Sequence, residues 1–129
     1  MTPQNPLSMT DSQVIDPDAL ARLKEWGGDK LAGQMVRLFL KNSGTRMDQI
    51  RTGVGDGIPE EVERGAHSLK SSAANIGAED LRTITTQIES AALEEDVDRL
   101  DTLLPGLESA YGSAMAELKA IEEGMPDES

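Results

Sequence analysis

Residues 58–77 read IPEEVERGAHSLKSSAANIG, and the fold follows from how this stretch is read. Ile58, Val62, Ala66, Leu69, Ala73 and Ile76 recur at steps of three and four, the mark of a helix with one buried face. Pro59 suits a first helical position, where its missing N–H is no loss. Glu60, Glu61 and Glu63 suit the positive end of the helix dipole, and Gly77 suits the residue just past the stop.

His67 is the only histidine in the chain. On a wheel of about 3.6 residues per turn it falls roughly 150° from the centre of the apolar stripe. Its neighbours one and two turns away are Glu60, Glu63, Lys70, Ser71 and Ala74, so the imidazole stands in water among short or charged side chains. That geometry excludes a core histidine and leaves an idle surface histidine or a reactive one. Lys70, one turn on at a Cβ separation of about 5–6 Å, can bring an ammonium to whatever the imidazole carries. Ser71 adds a hydroxyl donor, and Ser71, Ser72, Ala73 and Ala74 leave a low flank that a partner can approach closely. The set suits a histidine that accepts a negatively charged group from another protein.

The run AHSLKSSAANIGA, 66–78, resembles the signature of histidine-containing phosphotransfer (HPt) domains, roughly A-H-x-L-K-(G/S)-x-(A/S)-x-x-x-G-(A/L). In that family an exposed histidine on a four-helix bundle takes a phosphoryl group from one receiver-domain aspartate and gives it to another. The resemblance implies His67 as phosphoacceptor, Lys70 as the cation beside the phosphoryl group, and Gly77 as a close-packed glycine ending the helix. Ser71 stands where many members have glycine and narrows the approach slightly. The helical layout agrees with the family over about 16–122.

Upstream, 1–13 is polar and proline-bearing and is expected to be a disordered tail. Asp16-Pro17 reads as an N-cap and first-turn proline. Ala19, Leu20, Leu23 and Trp26 then give a short helix stopped by Gly27-Gly28, expected to lid one end of a bundle with Trp26 as a core plug. Asp29 can cap the next helix. Leu31, Met35, Leu38, Phe39 and Asn42 mark its face, Met47 and Ile50 continue it, and its end is expected between Arg51 and Gly53. The following TGVGDGIP lacks a preceding strand and a Gly-Lys-Ser/Thr, so it matches no nucleotide-binding fingerprint and reads as a turn between antiparallel helices.

Downstream, Ala78 opens a helix with Leu81, Ile84, Ile88 and Ala91 on one face. The tight turn at 76–78 requires this helix to pack antiparallel to the histidine helix. His67 lies ten residues before Gly77 and Glu89 twelve after it, so the two stand at similar heights on facing helices. HPt members carry a Glu or Gln at this offset, which implies that Glu89 orients the imidazole through Nδ1–H and leaves Nε2 free; an ordinary exposed glutamate is the alternative. Asp96 can cap a last helix carrying Val97, Leu100, Leu103, Leu104, Leu107, Tyr111, Ala114, Met115, Leu118 and Ile121, with Pro105 expected to kink or restart it. Residues 123–129 are expected to fray. The fold class is all-α: an antiparallel four-helix bundle over 14–122 with a short N-terminal capping helix.

Composition narrows the function. The chain of 129 residues has no cysteine and a net charge of −12, and 77–129 alone nets −11. With no basic stripe and one each of Trp, Tyr and Phe, nucleic acid is a poor partner. One histidine supplies neither a di-iron pair of Glu-x-x-His sets nor the several Cys or His ligands usual for zinc, so no metal or cofactor is expected. Ser71 lies on the histidine's own helix with no nucleophile elbow, which argues against a hydrolase. No secretory signal or membrane span is visible, so the expected place is the cytoplasm.

The resemblance therefore implies a phosphocarrier in a His-Asp relay rather than an independent enzyme. Its partners would be response-regulator receiver domains, whose own Mg²⁺ supports the transfer, and a hybrid sensor kinase. Docking is expected around His67 through Glu63, Arg64, Ala74 and Gly77, by a monomer. The alternative is a non-transferring helical adaptor that binds through the same face, although an adaptor has no need of the His-x-Leu-Lys core.

Overall fold

The computed structural model describes residues 14–125, which form four helices and no strand. These are α1 (Pro17–Asp56), α2 (Pro59–Ile76), α3 (Glu79–Leu93) and α4 (Val97–Glu123). Two- and three-residue links force each helix to run antiparallel to the one before, and α4 returns against α1 to close the ring. The tail expected over 1–13 and most of that expected over 123–129 lie outside the described residues.

Asp16 caps α1 by accepting from the Asp18 N–H at 3.0 Å, with Pro17 in the first turn. The helix is broken at Gly27 and Gly28, and Gly28 takes φ 70°, ψ −169°, a conformation essentially reserved for glycine. The short first piece is the expected lid: Ile15, Ala19, Leu20 and Leu23 are buried, and the Asp16 N–H donates to the Gly77 carbonyl at 2.7 Å. Trp26 is not the plug it was expected to be, being 72% exposed. The buried stripe of the lid ends at Leu23, and Trp26 sits in its last turn, where the chain swings away at Gly27.

The longer piece of α1 departs from the expected face in part. Its buried stripe runs through Ala32, Val36, Phe39, Ser43, Met47 and Ile50; Leu31 and Met35 flank it, while Leu38 is 51% exposed and Asn42 is exposed. Phe39, Met47 and Ile50 are buried as expected, but the small residues Ala32 and Ser43 share the stripe with them, and Leu38 and Asn42 fall outside it. The helix also runs past the expected end, to Asp56. Gly53 lies inside it, buried where a Cβ would stand 2.7 Å from Val62 Cγ2 and 2.9 Å from the Val62 amide nitrogen. Only Gly57 of the glycine run, at φ 70°, makes the turn.

α2 matches its expected limits, from Pro59 to the left-handed Gly77 at φ 81°, with Val62, Ala66, Leu69, Ala73 and Ile76 buried; Ile58, just outside it, is partly exposed. Asp96 caps α4 by accepting from the Arg99 N–H at 3.2 Å. Pro105 does not restart that helix, which runs as one element from Val97 to Glu123. Arg51 of α1 grips Glu108 of α4 with two hydrogen bonds of 2.6 Å. Each partner shifts the other: the Glu108 carboxylate, with Asp48 beside it, raises the Arg51 pKa, and the guanidinium lowers that of Glu108.

Candidate functional site

His67 sits midway along α2 with its side chain 62% exposed. Glu89 rises from α3 beside it with only 12% of its side chain exposed. Its Oε2 lies 2.8 Å from His67 Nδ1, and its Oε1 accepts from Lys70 Nζ at 2.5 Å. The antiparallel α2–α3 hairpin produces this meeting, because residues at similar distances from Gly77 face each other. Burial pushes the Glu89 pKa up, but the hydrogen bonds from Lys70 and His67 together outweigh it, and the carboxyl is held below its usual range.

Glu89 therefore stands as an anion against the ring. A carboxylate against Nδ1 favours the tautomer with the proton on that nitrogen and the lone pair on Nε2. Lys70, expected beside whatever the imidazole carries, is engaged with Glu89 in this structure. Ser71 and Ala74 are exposed on the outer face of α2, and Ser72 adds to the low flank. Arg64 donates to Glu61 at 2.8 Å and remains largely exposed. Glu63, half-buried, brings a carboxylate oxygen within 4.8 Å of ligand atoms of His67 and Glu89.

Gly77 does not belong to a docking face. It is buried under the lid, where a Cβ would stand 2.5 Å from Ala19 Cβ and 3.0 Å from the Asp16 carbonyl oxygen, so its close packing is internal. A feature beyond the sequence reading is a shallow groove of about 190 Å³ between α1 and α2, lined by Met35, Leu38, Phe39, Asn42, Ser72 and Asn75 among others. The exposed Leu38 lies in it, on the flank of α2 that turns away from Glu89. Its only trace in the sequence is an apolar stripe wider than one helix contact needs.

The family model for the Hpt domain matches residues 34–123, which span the histidine helix and both helices after it. The chain belongs to the Hpt domain family. Among solved structures, the Hpt chain is similar to histidine-containing phosphotransfer protein B (HptB) from Pseudomonas aeruginosa, with a TM-score of 0.82 at 21% identity, covering 89% of this chain and 99% of that one. It is also similar to a rice protein assigned as a histidine-containing phosphotransfer protein, with a TM-score of 0.75 at 17% identity, covering 90% of this chain and 84% of that one. At such identities these likenesses speak for the bundle fold. No curated protein matches the chain. The lid and its glycine break precede the matched span, whereas His67, Lys70, Ser71 and Glu89 all lie within it. Among the described residues, no helix of this Hpt protein is long and apolar enough to cross a membrane.

Proposed function

We propose that this Hpt protein carries phosphoryl groups on His67 between the aspartates of receiver domains. The observation that carries the reading is the contact of His67 Nδ1 with Glu89 on an otherwise exposed ring. A neutral imidazole so held presents Nε2 to a docked partner. The Nε2–phosphorus bond forms as the bond from phosphorus to the aspartate oxygen breaks, and the aspartate leaves as carboxylate. The ring gains positive character, which the Glu89 carboxylate at Nδ1 offsets.

Lys70 has two uses in this scheme. Bound to Glu89 it keeps the carboxylate ionised and in place; swung outward it can reach the transferring oxygens, whose charge is spread in a loose transition state. Ser71, one turn above the ring, offers a hydroxyl to the same oxygens. The receiver contributes Mg²⁺ and most of the rate enhancement, so the Hpt chain is a carrier. Docking falls on the low flank of α2, with Glu63, Arg64 and Ala74, and extends to Leu38 in the α1–α2 groove.

The test is transfer from a panel of phosphorylated receivers to the wild type and to His67→Gln. Acid-labile label on the wild type alone supports the carrier. A folded wild type that takes label from none of them would favour the adaptor.

A further inference from the structure

Glu63 and His67 are four residues apart on one face of α2, and Glu89 reaches them from α3. One ligand-type atom of each lies within 4.8 Å of the others. Glu63 pairs with no cation or donor among the described residues. Lys70 occupies Oε1 of Glu89 and leaves Oε2 on the imidazole side. Two carboxylates thus stand by the ring with one ammonium, held by Glu89 alone, an excess of negative charge beside a largely exposed imidazole.

Imidazole nitrogen and carboxylate oxygen are both zinc ligands, and three of them leave a fourth position for water, the count of an open zinc site. Counting only His and Cys in the sequence hides such a set, because the carboxylates come from two helices. Ligand atoms about 2.1 Å from a tetrahedral zinc ion stand about 3.4 Å apart. Zinc on Nδ1 requires the other tautomer, with the N–H moved to Nε2; the 2.8 Å His67–Glu89 contact then opens slightly, and Glu63 closes from at most 4.8 Å, within reach of side-chain rotation. The packed α2–α3 hairpin holds the two backbones at this spacing without ordering a loop.

We propose that Glu63, His67 and Glu89 bind a divalent transition-metal ion, with Zn²⁺ the best fit, and that the bound ion closes His67 to phosphoryl groups. The second half rests on the carrier reading above. A neutral imidazole has one lone-pair nitrogen and one N–H. Zinc takes the lone pair whichever nitrogen it binds, so no nucleophilic nitrogen remains. Metal and phosphoryl group are then mutually exclusive occupants, and each weakens the other equally at equilibrium.

The test is a titration of the purified full chain with zinc chloride at neutral pH, followed by calorimetry and by NMR of the imidazole. A single histidine makes those ring signals unambiguous. One equivalent is expected to bind while the ring signals shift in step with the heat. Glu63→Gln and Glu89→Gln are each expected to weaken binding by about tenfold or more, with helix content by circular dichroism showing that both still fold. Unmoved ring signals, or unchanged affinity in Glu63→Gln, would place the zinc on other acids and overturn the site. Phosphoramidate, a small phosphoryl donor, then tests the exclusion: saturating zinc is expected to suppress labelling of His67, and full labelling would overturn it. Absence of label without zinc, from phosphoramidate and from every phosphorylated receiver alike, would instead remove the carrier reading, and the exclusion with it, while the zinc titration stands or falls alone.

Discussion

Glu89 does the most at the scale of single residues, because one carboxylate holds both the imidazole and the lysine. Its pKa is lowered in the fold, so its stabilisation is complete above the ordinary glutamate value of about 4.3 and is lost as the pH falls through the folded value. At neutral pH, Glu89→Gln is expected to lower stability by about 1–2 kcal/mol. The gap to wild type should narrow on acidification, which urea melts at pH 7 and roughly pH 3 will show; a gap that widens in acid would contradict the assignment. Lys70→Ala is expected to slow phosphotransfer about tenfold, the worth of one charge-assisted hydrogen bond, while the bundle stays folded. Unchanged single-turnover rates from a phosphorylated receiver would remove the lysine from the mechanism. The heights of His67 and Glu89 about Gly77 were legible in the sequence, since helix rise and a tight hairpin determine them. The partner chosen by Lys70 was not, because backbone spacing gives a Cβ distance and a flexible side chain then selects among nearby anions.

Between elements, close approach decides which glycines matter. Gly65 sits where α2 crosses α1, and a Cβ there would stand 2.9 Å from Ile50 Cγ1 and 3.1 Å from the Arg46 carbonyl oxygen. Gly112 is also helical, yet a Cβ there would meet nothing within 4 Å. Gly65→Ala is therefore expected to cost about 1–3 kcal/mol through overpacking, outweighing its gain in helix propensity. Gly112→Ala should instead stabilise by roughly 0.5–1 kcal/mol. Chemical denaturation of the two variants side by side checks both signs. Helix existence and the limits of α2 were readable from periodicity, Pro59 and Gly77. The end of α1 and part of its face were not: Phe39, Met47 and Ile50 were legible as buried, but the stripe also runs through Ala32, Ser43 and Gly53, small residues that hydropathy passes over. Trp26 failed for a related reason: a wheel assigns an angle but does not say where the neighbouring helix ends.

For the whole molecule, charge is the main unbalanced quantity. A net charge of −12 on 129 residues, concentrated after Gly77, makes the compact state repel itself. Against that stand a few ion pairs, chiefly the Arg51–Glu108 grip between the first and last helices. Raising sodium chloride from about 10 mM to 0.5 M is expected to increase the melting temperature, because screening relieves the long-range repulsion more than it weakens a close, two-bonded pair. A fall in melting temperature would mean that the ion pairs outweigh the repulsion. The overall architecture was legible because short links and four amphipathic stretches leave few ways to close a bundle. The α1–α2 groove was not, and of the Glu63–His67–Glu89 cluster only the neighbourhood was, since how closely such groups meet depends on how neighbouring helices are rotated about their axes.

The measurement that bears most directly on the phosphocarrier is the position of the phosphate itself. The wild type and His67→Gln would be phosphorylated by a receiver and the product located by mass spectrometry and imidazole NMR. One acid-labile phosphoryl group on Nε2 of His67, with none on the variant, is the expected result. Label retained by His67→Gln, or found on Nδ1, would contradict an acceptor held by Glu89.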